Sequence, residues 1–277
     1  MGERLCLVTG ATGGIGLETA RGIAQHGWTV VIVGRNLEKS RTTAAQITEQ
    51  TGNPHVEFLV ADLSIQAEIR RLAEEFKERY SHLDVLVNNA GGMFLNGQVS
   101  ADGIEMTLAL NHLGYYLLTR LLCDLLKASA PARIVNVASV AHFGARIDFA
   151  NLQFSGWRGY KRSKLANILF TYELARRLEG TGVTANALSP GLVASRFGMN
   201  NRGLFPWIKP LVDCFAVSNE QGARTSIHLA CSADVEGVTG KYFTGCRPQH
   251  SSAASYDRAA AVRLWEMSAR LTGPATD

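Results

Sequence analysis

Short apolar runs alternate with longer amphipathic stretches along the first half of the chain. Residues 4–9, 28–34, 56–61, 83–88 and 132–139 are brief and rich in Val and Ile, the pattern of strands buried on both faces of a parallel sheet. Between them, residues 14–26, 36–51, 64–80 and roughly 100–128 carry a helical period; Ile69, Leu72, Ala73 and Phe76, for example, recur at steps of three and four. Asn36 before Leu37 and Ser64 before Ile65 have the chemistry of N-caps. The rhythm continues with a helix over 159–179, a strand over 183–188, a helix over 218–231 and a strand near 239–243. A last helix near 255–271 is expected to pack through Leu264, Trp265 and Leu271.

Strands alternating with helices predict βαβ units with right-handed crossovers, and so an α/β fold with a doubly wound parallel sheet between helices on both faces. No proline-rich linker, composition break or repeat divides residues 1–277, which read as one domain. Two stretches interrupt the pattern, 140–158 and 192–217. Residues 203–217 hold ten apolar residues, two prolines and only two charges. Loops of this length commonly serve as lids or binding loops, which makes 192–217 a candidate substrate lid carrying Phe197, Phe205, Trp207 and Ile208. Packing of the same segment on the core or on a partner is the alternative.

Composition narrows the class. At 277 residues with 46% hydrophobic and 19% charged, the chain can bury a sizeable core and is not disordered. The formal charge of +4 is small and the cations are scattered, which gives no support to nucleic-acid binding. Five cysteines (Cys6, Cys123, Cys214, Cys231, Cys246) lie far apart without a C-x-x-C pair. Neither a disulfide framework nor a metal site is expected, and a reducing, cytoplasmic setting is the default. The chain enters a strand at once, so no signal peptide is expected, and no apolar run reaches the ~18–20 residues of a membrane span.

Thr9-Gly10-Ala11-Thr12-Gly13-Gly14-Ile15-Gly16 follows the first strand and opens the first helix. Glycines there let the backbone turn tightly and approach a pyrophosphate, which the helix N-terminus favours. Gly16 also allows close helix–sheet packing. The strand-before, helix-after context is what separates a dinucleotide site from an ordinary glycine-rich turn. The second strand ends Val33-Gly34-Arg35-Asn36, with no acid at its tip to bind ribose hydroxyls. An Arg there accommodates a 2′-phosphate, so Arg35 points to NADP(H), against the alternative of a solvated arginine. Asp62, with Leu63, follows the third strand, where it could accept from an adenine amino group or cap the next helix. Asn88-Asn89-Ala90-Gly91 ends the fourth strand; Ala90 and Gly91 permit close backbone approach, while Asn88 can tie neighbouring strands together.

Tyr160 and Lys164 stand at i and i+4 on one helix face, so their polar ends can converge. An ammonium ~5 Å from a phenol favours phenolate by roughly 3 kcal/mol at an effective dielectric near 20, about two pKa units. Such a tyrosine could exchange a proton with a substrate oxygen while hydride moves to or from a cofactor. Ser139 ends the fifth strand, where it could donate to the same oxygen or cap the following turn. Asn111 is a polar residue in an apolar helix, able to hold a relay water or to serve structure alone. His112 beside it reads as structural. The long helix at 159–179 carries more apolar surface than one core contact needs (Leu165, Ile168, Leu169, Phe170, Leu174, Leu178), which leaves room for a homodimer or a monomer.

Taken together, these motifs resemble the short-chain dehydrogenase/reductase family: T-G-x-x-x-G-x-G at 9–16, N-N-A-G at 88–91, Asn111, Ser139, Tyr160 with Lys164, and Pro190-Gly191. The resemblance implies a Rossmann-like, seven-stranded parallel sheet and an Asn-Ser-Tyr-Lys catalytic set. It also implies that Thr12 and Ile15 belong to the cofactor cradle, that Lys164 contacts the nicotinamide ribose, and that Pro190, Gly191 and Val193 line the nicotinamide side. The family usually spaces its serine about a dozen residues before the tyrosine, whereas Ser139 and Tyr160 are 21 apart; Ser155 is nearer but lies in the loop. That spacing, with Ser163-Lys164-Leu165-Ala166-Asn167, Gly240-Lys241-Tyr242-Phe243 and Leu264-Trp265, looks like the retinol-dehydrogenase-like branch. Protochlorophyllide reductases and WW-domain oxidoreductases are similar. The expected activity is NADP(H)-dependent interconversion of an apolar carbonyl compound and its alcohol. Reduction of a conjugated C=C bond and a non-catalytic nucleotide-binding role are the alternatives.

Overall fold

The computed structural model describes residues 4–152, 154–191 and 217–274. Among the described residues eight strands form one sheet: β1 (Leu5–Thr9), β2 (Thr29–Gly34), β3 (Val56–Val60), β4 (Val85–Asn88), β5 (Ala132–Val137), β6 (Val183–Ser189), β7 (Tyr242–Thr244) and β8 (Arg247–Gln249). Their order is β3-β2-β1-β4-β5-β6-β7-β8. The first seven run parallel, and β8 pairs antiparallel with β7. Chain order reverses between β1 and β4, and the crevice beyond their carboxyl ends is where ligands bind in such sheets.

The eighth strand is the sheet's one departure from expectation. Gly245 and Cys246 join β7 to β8 with φ of 58° and 62°, the two positive values that a two-residue hairpin turn requires. Its strand, Arg247-Pro248-Gln249, is wholly exposed and has no apolar alternation to announce it. Pro248 is tolerated because this is an edge.

Apolar residues of β1 and β2 alternate between two core layers. On one side Ile23 and Ala24 of α1 (Gly14–Ala24), Ile47 of α2 (Leu37–Thr51) and Leu229 of the helix Asn219–Cys231 pack on Val8 and Ile32. On the other, Phe76 of α3 (Gln66–Arg79) joins Tyr115, Phe170 and Leu174 against Leu7 and Val33. Asn36 caps α2, accepting from the Lys39 N–H at 2.9 Å. Ser64 does not cap α3. Its N–H and hydroxyl both donate to Asp62 Oδ1 at 2.9 and 2.7 Å, a local Asx turn that competes with capping. The α3 N-terminus is served instead by Asp102, which accepts from Gln66 N–H at 2.9 Å.

The long helix expected over 100–128 is broken into pieces. A short α4 (Met106–Leu108) runs into a π-helical turn at Ala109–Leu113, then α5 (Gly114–Leu121) and α6 (Cys123–Ala128). Such π turns often mark functional sites, and this one carries Asn111. The apolar surplus of α7 (Gly156–Arg177) is taken up inside the chain. After α8 (Asn219–Cys231), α9 (Arg258–Thr272) lays Ala261, Leu264 and Met267 on Leu165, Ala166 and Leu169, with Leu271 at the edge. Trp265 stacks on Phe170 at 5.8 Å, under the Arg177 guanidinium at 4.3 Å. Of the residues that suggested a dimer, Leu165, Leu169 and Phe170 therefore meet α9 within the chain.

Candidate active site

The glycine turn is built for close approach. Gly10 has φ of 64°, and a Cβ there would fall 2.7 Å from Ala90 Cα. A Cβ on Gly16 would fall 2.4 Å from Asn89 Nδ2 and 2.5 Å from the Gly10 carbonyl. Thr9 and Asn89 lock the turn to β4: Thr9 Oγ1 accepts from the Asn89 and Ala90 N–H groups at 2.8 and 3.1 Å, and Asn89 Nδ2 donates to Thr9 O at 2.8 Å. Helix α1 begins with neither a capping side chain nor an acid in its first turn, so Gly13, Gly14, Ile15 and Gly16 present a bare helix N-terminus beside Thr12, a fit for phosphate.

Asn88 serves the sheet. Wholly buried, it donates to Thr119 Oγ1 at 3.0 Å and Asn136 Oδ1 at 2.9 Å, and Asn136 donates in turn to Thr171 Oγ1 at 2.9 Å. The side chain that touches the glycine turn is its neighbour Asn89, whose role the sequence motif contained but did not single out. Arg35 is exposed at the β2 tip. Lys39, unremarked in the sequence, places its ammonium 3.7 Å from the position of a Gly13 Cβ. Glu38, the nearest acid, is largely exposed and pairs with Arg41 at 3.4 Å. Asp62 is engaged in its Asx turn, and buried Leu63 packs against Gly114, where a Cβ would meet the Leu63 carbonyl at 2.7 Å.

Tyr160 and Lys164 converge on the carboxyl edge of β5, 8% and 4% exposed. Lys164 Nζ donates to Val137 O at 3.0 Å and sits 5.6 Å from the Tyr160 ring centroid. Ser139 hydrogen-bonds the Tyr160 phenol and also caps the turn that follows, accepting from Ala141 N–H at 3.1 Å, which bears out the capping reading. Burial pushes the phenol up to about 12, against the Ser139 hydrogen bond that pulls it down. Burial also brings the Lys164 amine down to about 7. This departs from the expectation of a phenol made acidic by the ammonium: in this cleft desolvation is the largest influence on both groups, so each favours its neutral form more than it would in water.

Asn111 meets the same corner. Its Oδ1 accepts from Gly92 N–H at 2.8 Å, and its Nδ2 donates to Gly92 O at 2.9 Å and Ser163 Oγ at 3.0 Å. Both amide hydrogens are taken, so any water held by this side chain would have to donate to Oδ1. A Cβ on Gly91 would lie 3.2 Å from Asn111 Oδ1 and 3.7 Å from Lys164 Nζ. His112 turns away to bond Ser268 Oγ at 2.8 Å, structural as expected. Ser189, another residue without a sequence signal, accepts from Val140 N–H at 3.1 Å and Gly191 N–H at 3.3 Å, tying the Ser139 turn to Pro190-Gly191. Trp157, one turn before Tyr160, stacks on its ring at 5.6 Å and 26° and is 55% exposed. Val193 and the lid residues Phe197, Phe205, Trp207 and Ile208 lie outside the described residues.

A cavity of about 860 Å³ opens at the opposite edge, lined by Ala132, Arg133, Glu173, Arg176 and Val183 among others. It contains no predicted site residue. Its buried carboxylate, Glu173, pairs with Arg176 and Arg177, and Arg133 donates to the carbonyls of Leu229, Ala230 and Ser232 near the end of α8. Among the described residues no cluster of His, Cys, Asp or Glu could hold a metal ion, and no helix is long and apolar enough to cross a membrane.

Comparison with known proteins meets this geometry. The family model described as short chain dehydrogenase matches residues 4–203. Retinol dehydrogenase 11 of Homo sapiens is 43% identical over 274 residues, covering 98% of this chain and 86% of its own length. An uncharacterised protein of Mycobacterium paratuberculosis superposes with a TM-score of 0.78 at 31% identity, covering 97% of this chain and 93% of that one. RhlG of Pseudomonas aeruginosa, solved as an active-site complex with NADP, has a TM-score of 0.71 at 30% identity, over 87% of this chain and 93% of its own. The chain belongs to the short-chain dehydrogenase family, as a retinol-dehydrogenase-like oxidoreductase with a site for an NAD(P) cofactor.

Proposed function

We propose that the protein interconverts an apolar carbonyl compound and its alcohol, with NADP(H) as its cofactor. The observation that carries this reading is the buried Tyr160, hydrogen-bonded to Ser139 and set against Lys164 at the rim of the glycine-turn crevice. A nicotinamide dinucleotide bound along that crevice supplies hydride in reduction and accepts it in oxidation. In the reductive direction the substrate oxygen gains charge and takes its proton from Tyr160 Oη. A phenol held at about 12 stays protonated at neutral pH and is ready to act as that acid. Ser139 orients the oxygen, and the Lys164 amine, at about 7 roughly half protonated at neutral pH, offsets in its ammonium form the phenolate left behind.

Arg35 at the β2 tip and Lys39 beside Gly13 support NADP(H) over NAD(H), because both bring cationic donors to the adenosine end of the crevice. The NADP complex of RhlG supports the same choice. The apolar substrate class is supported by Val140, Phe143 and Trp157, each about half exposed on the elements that carry Ser139 and Tyr160. The name of retinol dehydrogenase 11 puts the aldehyde of a long apolar alcohol first on the panel to be tried. The test is NADPH consumption by purified protein against retinoid and other apolar aldehydes, ketones and quinones, with product identification. Turnover of an apolar aldehyde to its alcohol is expected; saturation of a C=C bond, or no turnover across the panel, overturns the reading.

A further inference from the structure

His142 is wholly buried three residues after Ser139 and has no part in the chemistry described above. Its two ring nitrogens meet unlike partners. Nε2 lies 3.0 Å from the Ser252 amide nitrogen, whose N–H donates to it. That leaves the ring proton on Nδ1, which donates to the Ser139 carbonyl at 2.6 Å. The partners thus select one neutral tautomer, and burial favours the neutral ring as well. The edge of the ring is held by Tyr242, 5.1 Å away at 64°.

Both ends of this strut are anchored. Ser252 belongs to a segment fixed by Ser255, whose hydroxyl donates to Ser252 O at 2.6 Å, and by the Ser251–Tyr172 hydroxyl contact at 2.7 Å, which reaches α7. Ser139 belongs to the turn whose Oγ faces Tyr160 and accepts from Ala141 N–H. The imidazole therefore ties the Ser139 carbonyl, which also accepts from the His142 N–H at 3.2 Å, to the Ser252 segment just past the end of β5. Misplacement of a reacting-site group by about 1 Å can cost about a hundredfold in rate.

We propose that His142 is a positioning residue: its Nδ1–H grips the Ser139 carbonyl and sets the serine hydroxyl against Tyr160. The catalytic consequence rests on the reading under Proposed function; the conformational consequence does not. Three substitutions separate the two ring bonds. His142→Asn places an amide nitrogen where Nδ1 was and keeps the Ser139 bond. His142→Gln places an amide oxygen near Nε2 and keeps the Ser252 bond. His142→Phe fills the space and keeps neither.

The experiment combines amide hydrogen exchange at Ala141 and Ser252, read by NMR, with steady-state kinetics and NADPH titration. In His142→Gln and His142→Phe, Ala141 exchange accelerates and kcat falls about tenfold or more, with the NADPH Kd unchanged within twofold. In His142→Asn, Ser252 exchanges faster while Ala141 and kcat stay within about threefold of wild type. Equal kcat and Ala141 protection in wild type and His142→Phe overturn the proposal, as does an Asn variant no better than Gln. Should wild type reduce nothing while the exchange pattern crosses over as described, the positioning role stands and the substrate reading falls.

Discussion

Replacing Lys164 with Met should give a more stable, nearly inactive protein, and the structure supplies the size of the effect. The amine is 4% exposed, and burial brings it from 10.5 down to about 7. That displacement means a folded state penalised by roughly 4 kcal/mol at pH 7 relative to a solvated lysine. Its hydrogen bond to Val137 O returns roughly 1.5–3 kcal/mol. Without it the carbonyl keeps Tyr115 Oη and Asn167 Nδ2, each at 3.4 Å, so Met leaves no orphaned acceptor. The net gain is roughly 1–3 kcal/mol at pH 7. Because the folded amine has the lower pKa, the unfolded chain binds more protons between pH 7 and 10.5, and wild type gains stability from Lys164 as pH rises. Met has no such gain, so the difference should shrink by roughly 2 kcal/mol between pH 7 and 9. Urea denaturation at pH 7, 8 and 9 reads this directly, and turnover should fall at least about a hundredfold. A difference that does not move with pH, or a Met variant less stable at pH 7, refutes the desolvation reasoning.

Two more outcomes test the nucleotide crevice. Gly16→Ala pushes a methyl to 2.4 Å from Asn89 Nδ2 and 2.5 Å from Gly10 O, so the turn must open by about 1 Å; NADPH affinity should drop at least about tenfold and stability by roughly 1–3 kcal/mol, seen by fluorescence titration and denaturation, and unchanged binding would show that the turn is not held as described. If Arg35 holds the 2′-phosphate as proposed, Arg35→Ala removes a charge-assisted contact worth roughly 1.5–3 kcal/mol, so NADPH affinity should fall roughly 10- to 150-fold with NADH affinity unchanged; an unaltered preference removes Arg35 from the cofactor assignment.

Seven of the eight strands were legible because each is an apolar run too short to be a helix and bounded by turn residues, as Val30-Val31-Ile32-Val33 illustrates. The eighth was not, since an exposed edge strand with Pro248 needs no apolar pattern. The π turn at Asn111 left no trace in a period count, because it adds a residue to a turn without changing which residues are apolar. The site shows the same division. Tyr160, Lys164 and the glycine turn were candidates in the sequence because each pattern is local, and it was their order along the chain, with the family resemblance, that singled them out. Asn89, Ser189, His142 and Trp157 act through partners brought together only by the folded sheet edge and α7. The surplus apolar face of α7 was visible, but its occupant, α9, was a question of tertiary packing.

The most direct test of the central claim is a comparison of wild type and Tyr160→Phe on an apolar aldehyde that wild type reduces. The substitution removes one hydroxyl and leaves the ring stacked on Trp157. The NADPH Kd should stay within about twofold while kcat falls at least about a hundredfold. A Phe variant that keeps wild-type kcat with that aldehyde would mean that the proton comes from elsewhere.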